Sequence, residues 1–92
     1  MKIGYARVSS SSQDLELQKQ ALSVAGCQKI YSESISGKDN NRDQLNLMLS
    51  DLRSGDVVVV YKIDRIARSL KGLIDIIELL NSKSVDLISL DS

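Results

Sequence analysis

Ninety-two residues, 42% hydrophobic and 26% charged, describe one soluble globular domain and exclude two. With no histidine, the chain cannot build a Ser-His-Asp triad, a histidine general base or a histidine zinc site, and its single cysteine, Cys27, forms no intrachain disulfide. Twelve basic residues balance twelve acidic ones, so any site for an anion must be local rather than spread over a basic surface.

In chain order, Lys2 to Val8 (KIGYARV) is rich in β-branched and aromatic residues and reads as a first strand, punctuated by the serines and glutamine that follow. From about Asp14 to Ala25, the stripe Leu15, Leu22, Ala25 predicts an amphipathic helix that stops at Gly26. Gln28 to Ser34 forms a short second strand, and the polar stretch from Ser36 to Asn41 a loop. Leu45, Met48, Leu49 and Leu52 then mark a second helix, with Asn40 or Asn41 as its N-cap and Gly55 beyond its end. The run from Val57 to Tyr61 lacks alternation, as expected of a central strand covered on both faces. A third helical stripe, Leu70, Leu73, Ile74, Ile77 and Leu80, precedes a last strand from Val85 to Leu90.

This βαβαβαβ alternation predicts a doubly wound, mostly parallel α/β sheet of flavodoxin-like type, in strand order 2-1-3-4 with helices on both faces. The crevice beyond the carboxyl ends of the first and third strands is then the expected ligand site. No apolar run reaches the roughly 20 residues of a membrane span, and the amino terminus lacks a signal-peptide layout, so the expected location is cytoplasmic.

Four of the five arginines, Arg7, Arg42, Arg65 and Arg68, fall at those strand ends or in the loop that could fold over them. Guanidinium groups present paired donors matched to phosphate oxygens and keep their charge when desolvated. Surface arginines also pair simply with neighbours such as Asp64, and spacing alone leaves both readings open. Arg53, in the last turn of the second helix, suits the helix dipole. Ser9 to Ser12 offer helix caps, through Ser10 with Gln13 or Ser11 with Asp14, yet Ser9 beside Arg7 could equally act as a nucleophile toward phosphorus. Asp64 and Glu33 could orient an arginine, handle a proton or form plain salt bridges.

Three blocks, Gly4-Tyr5-Ala6-Arg7-Val8-Ser9 with Gln13, Ser36-Gly37 with Arg42, and Lys62 to Ser69 (KIDRIARS), resemble the signatures of the small serine recombinases, the resolvase/invertase family. The resemblance implies that Ser9 attacks a DNA phosphodiester to give a 5′-phosphoserine link. It implies that Arg7, Arg65, Arg68 and, from the loop, Arg42 hold the scissile phosphate while Asp64 steadies the arginines. Tyr5 and Gln13 match supporting positions, Glu33 stands at a supporting position where many relatives carry aspartate, and Ala67 replaces a glycine frequent in the family. Neither metal nor cofactor is implied. Residues 1–92 then constitute a catalytic domain that stops before the family's dimerisation helix and DNA-binding module. The implied partners are a double-stranded recombination site and further copies of the chain, as dimer and tetramer, in the full-length parent. A non-catalytic phosphate-binding or regulatory module of flavodoxin-like form is the alternative; it would need neither the serine nor the arginine cluster.

Overall fold

The computed structural model of the chain describes residues 1–8, 12–34, 43–67 and 69–91. Strand β1 (Lys2–Val8) leads to α1 (Ser12–Val24), β2 (Lys29–Ser34), α2 (Asp43–Asp51) and β3 (Val57–Val60). A single turn of 3-10 helix, Ile63–Arg65, precedes α3 (Leu70–Ser82) and β4 (Asp86–Ser89). The four strands pair in parallel in the order β2-β1-β3-β4, as the alternation predicts. Every residue from Ile3 to Val8 is buried, and so are Val58 to Val60, because β1 and β3 are the central strands and carry cover on both faces. At the edge, β2 alternates, burying Tyr31 and Glu33 while Lys29 and Ser34 face solvent.

The first crossover runs from β1 to β2, and the next two run the other way across the sheet, so right-handed connections place α1 on one face and α2 with α3 on the opposite one. The larger core therefore lies under α2 and α3, where Leu45, Met48, Leu52, Ile76 and Leu80 meet Tyr5, Tyr31, Val58 and Val60. Each fully buried side chain of this size contributes about 1.5–3 kcal/mol. On the other face α1 alone packs Leu22 against Ala6 and Val59, flanked by Leu15, Cys27 and Ile30. One helix cannot cover four strands. An apolar groove of about 530 Å³ remains between α1 and the ends of β3 and β4, lined by Leu17, Val24, Tyr61 and Leu90 among others.

Gly26 adopts φ +96°, the left-handed turn that ends α1 where its sequence position predicts. Cys27 is half-buried beneath α1, and burial pushes its thiol pKa up against the opposing pull of Lys2, which favours the inert thiol. Among the described residues, no helix is long and apolar enough to cross a membrane.

Close approach of α1 to the sheet centres on Gly4. A Cβ there would lie 3.1 Å from Leu22 Cδ1, 3.2 Å from Cys27 Sγ and 3.3 Å from Ile30 Cγ1. Replacing Gly4 by valine overpacks all three contacts and should cost about 1–3 kcal/mol, read as a lower denaturant midpoint. An unchanged midpoint would mean that α1 sits farther from β1 than described.

Candidate functional site at the carboxyl ends of β1 and β3

The site begins with a mismatch in strand length. β1 pairs with β2 through Val8, matched to Ser34, but with β3 only as far as Tyr5, matched to Val60. The N–H and C=O of a strand residue point to the same side, and alternate residues serve alternate neighbours. Met1 C=O accepts from Val57 on the β3 side, whereas Lys2 C=O accepts from Gln28 on the β2 side. Arg7, in phase with Met1, therefore turns its peptide groups toward β3 after β3 has ended.

The side chain of Gln18, in α1, fills that gap. Arg7 N–H donates to Gln18 Oε1 at 3.3 Å, and Gln18 Nε2 donates to Arg7 C=O at 3.1 Å. An amide side chain thus stands in for the missing strand, and Gln18 is 0% exposed. The same Nε2 donates to Asp14 Oδ2 at 3.4 Å, one helical turn earlier on α1. Arg7 itself is 6% exposed; Gln18 holds both of its peptide groups, while its neighbours Ala6 and Val8 pair with β2 on the other side.

Beyond β3 the chain passes Tyr61 and Lys62 into the 3-10 turn, then sinks Ile66 and Ala67 into the larger core. Ala67 is thus accommodated as a core residue. This anchor fixes Arg65, whose side chain is 30% exposed. Its Nη2 lies 3.6 Å from Asp14 Oδ2, and its Nε lies 3.9 Å from Asp64 Oδ1. Both are ion pairs beyond hydrogen-bond length, and the buried Nε makes no hydrogen bond among the described residues. Asp64 is 71% exposed, so its hold on Arg65 is solvent-screened. Ser69 then caps α3 by accepting from Gly72 N–H at 3.0 Å.

Glu33, the cross-strand neighbour of Arg7, is buried and bonded three times. The Tyr5 hydroxyl donates to its Oε2 at 2.5 Å, and the backbone N–H groups of Gln44 and Leu45 donate to Oε1 and Oε2 at 3.1 and 3.2 Å. A carboxylate on β2 thereby satisfies the free amides of the first turn of α2 and complements its dipole. Tyr5 and Glu33 thus fix where α2 begins, immediately after Arg42.

Of the residues the sequence singles out, Arg7, Asp64, Arg65, Tyr5 and Glu33 cluster along these strand ends. Gln13 is exposed in the first turn of α1. Ser9, Arg42 and Arg68 lie outside the described residues, as do Ser10 and Ser11, the Ser36-Gly37 pair and the expected caps Asn40 and Asn41. Arg53 sits two residues past α2 rather than in its last turn, where its N–H donates to Asp56 Oδ2 at 2.9 Å. That bond, with the Met1 amino group 3.4 Å from Asp56 Oδ1, holds the Asp56 carboxyl below the usual carboxylate range. Sequence reasoning misses Gln18 and Asp14 as site residues. The signal for Gln18 is its place between Leu15 and Leu22, a polar side chain on the buried stripe of α1.

This is a doubly wound α/β domain that presents a buried arginine and a half-buried one at its topological switch point. The chain belongs to the resolvase family: residues 2–92 match the resolvase N-terminal domain. It is 48% identical over 90 residues to the transposon Tn917 resolvase of Enterococcus faecalis, covering 98% of this chain and 49% of that protein. To the transposon Tn552 DNA-invertase BinR of Staphylococcus aureus it is 44% identical over 91 residues, covering 99% and 47%. To the serine recombinase gin of Escherichia phage Mu it is 41% identical over 90 residues, covering 98% and 47%. The chain thus spans about half the length of the curated relatives it matches. Among solved structures, the catalytic domain of ISC1926 TnpA, an IS607-like serine recombinase, superposes with a TM-score of 0.82 at 29% identity, over 97% of this chain and 66% of that one. A resolvase family site-specific recombinase from Streptococcus pneumoniae gives 0.75 at 27% identity, over 99% and 72%.

Because Gln18 satisfies both peptide groups of Arg7, a Gln18→Leu substitution leaves a buried donor and a buried acceptor unmet, at a cost of about 1–3 kcal/mol for each group. Thermal or chemical denaturation should show this loss, with Gln18→Glu, which retains only the acceptor, also destabilised.

Proposed function

We propose that residues 1–92 are the catalytic domain of a serine site-specific recombinase, in which Ser9 is the nucleophile. The observation that carries this reading is an Arg7 whose peptide groups are both held by Gln18, two residues before Ser9 in the sequence and one before the end of β1, in a chain of the resolvase family. In the proposed step, Ser9 Oγ forms a bond to the phosphorus of a DNA phosphodiester and the P–O3′ bond breaks. The products are a 5′-phosphoserine link and a free 3′-hydroxyl, with the Ser9 proton lost from Oγ and one gained by the leaving oxygen. Attack of a 3′-hydroxyl on the phosphoserine reverses the bond change and rejoins DNA without an external energy source.

Arg7 and Arg65, with Arg42 and Arg68, neutralise the charge that grows on the phosphate oxygens in the transition state. Arg7 is suited to this because its position is set before DNA arrives. Arg42 follows the stretch expected as a loop and immediately precedes α2 in the sequence, whose start Glu33 pins, so it is suited to join as the assembly closes. Asp64 holds Arg65 near the phosphate position. Gln13 supports the site from the first turn of α1. The substrate is a double-stranded recombination site, engaged by a protein of the length of the relatives, as a dimer that pairs into a tetramer. A DNA substrate agrees with the cytoplasmic location expected from the sequence.

In a recombinase of that length carrying this domain, Ser9→Ala should abolish the covalent protein–DNA adduct seen on denaturing gels, whereas Ser11→Ala should cost only helix-cap stability, about 0.5–2 kcal/mol. An adduct surviving Ser9→Ala overturns the assignment. Arg65→Lys keeps the charge but not the planar fork, and should slow cleavage on the order of 10²-fold with little change in site binding. Equal losses of binding and cleavage would make Arg65 a DNA-positioning residue instead.

A further inference from the structure

The contact between Asp14 and Arg65 joins a helix to the turn after β3, and no step proposed above requires a carboxylate on α1. The two side chains are 36% and 30% exposed and meet at 3.6 Å, too far for a hydrogen bond. A pair this open to solvent contributes little to stability. Arg65 is also incompletely served, since its buried Nε has Asp64 Oδ1 at 3.9 Å and no hydrogen bond among the described residues. A guanidinium with two carboxylates near it and an unmet donor is ready to exchange a loose partner for an anion that accepts at hydrogen-bond distance. Asp14 is the better anchored of the two carboxylates, because Gln18 Nε2 donates to it while holding the Arg7 carbonyl. Its negative charge therefore stays at the crevice after Arg65 turns away.

We propose that Asp14 is the resting counter-ion of Arg65: it occupies the guanidinium while the site is empty, yields it to a phosphate, and by remaining in place holds down the affinity of the crevice for phosphate. This rests on the reading of Arg65 as a phosphate ligand. The device keeps the arginine charged, oriented and neutralised without a tight bond that substrate would have to break. Its consequence is directional. A neutral residue at position 14 makes the crevice a better anion site, whereas a residue that merely positions Arg65 would, once removed, make it a worse one.

The test is a titration of the 92-residue chain with inorganic phosphate at low ionic strength, following the Nε–H resonance of Arg65 by NMR. Asp14→Asn keeps an oxygen acceptor for Gln18 while removing the charge, and Asp14→Glu keeps the charge. Removing one unit charge a few ångströms from a bound anion at a partly solvated site should tighten phosphate by about 3- to 10-fold in the Asn variant. The Glu variant should stay close to the wild-type chain, and the gain should shrink as salt rises. Binding in the Asn variant that is equal to or weaker than wild type, with Arg65 responding in both, overturns the role of Asp14 and leaves the recombinase reading standing. No response of Arg65 to phosphate in any of the three proteins overturns this proposal together with Arg65 as a phosphate ligand, and the Ser9 adduct assay then decides the recombinase reading separately.

Discussion

β3 leaves the sheet three residues before β1 does, and the crevice follows from that early departure. A central strand that loses one neighbour exposes a row of peptide groups that water or protein must satisfy. Here the Gln18 amide satisfies them, with a donor and an acceptor spaced as a strand would present them. The end of β1 can therefore remain extended and buried while the space β3 would have filled stays open. Arg7 stands at this boundary, and the turn that carries β3 away brings Arg65 to the same end of the sheet.

The polar groups around the crevice form two linked sets rather than scattered surface contacts. Gln18 joins the Arg7 backbone to Asp14, and Asp14 faces Arg65, so α1, β1 and the turn after β3 are tied at one place. On the other side of β1, Tyr5 and Glu33 tie the sheet to the first amides of α2. Buried networks of this kind are costly if broken, because each lost partner strands a group that has no water. In a domain of 92 residues with a thin core, they help decide how helices meet the sheet as well as how side chains meet a substrate.

Much of the architecture is legible from pattern. The bounds of β1 fall where composition puts them, and the unbroken valines of β3 correctly mark a central strand. Strand order follows from the alternation and the handedness of crossovers, and Gly26 ends its helix as expected. What pattern does not reveal is a contact that depends on two elements meeting. Glu33 looks like a possible salt-bridge partner because only the fold brings the amides of Gln44 and Leu45 to it. Asp14 looks like half of a capping box because its local neighbours are serines, while Arg65 is fifty-one positions away in sequence. Gln18 is the intermediate case, since a glutamine on an apolar stripe is visible in sequence but its role requires knowing that β3 stops at Val60.

The end of β1 is prebuilt, held by a side chain in place of a strand. Native-state hydrogen exchange at the Arg7 amide tests it most directly. If Gln18 closes the gap, that amide exchanges only through openings close in free energy to those of Tyr5, which has full strand partners. Exchange of Arg7 at the rate of an unprotected loop amide, while Tyr5 stays protected, would contradict the account and leave the crevice to be assembled only when substrate binds.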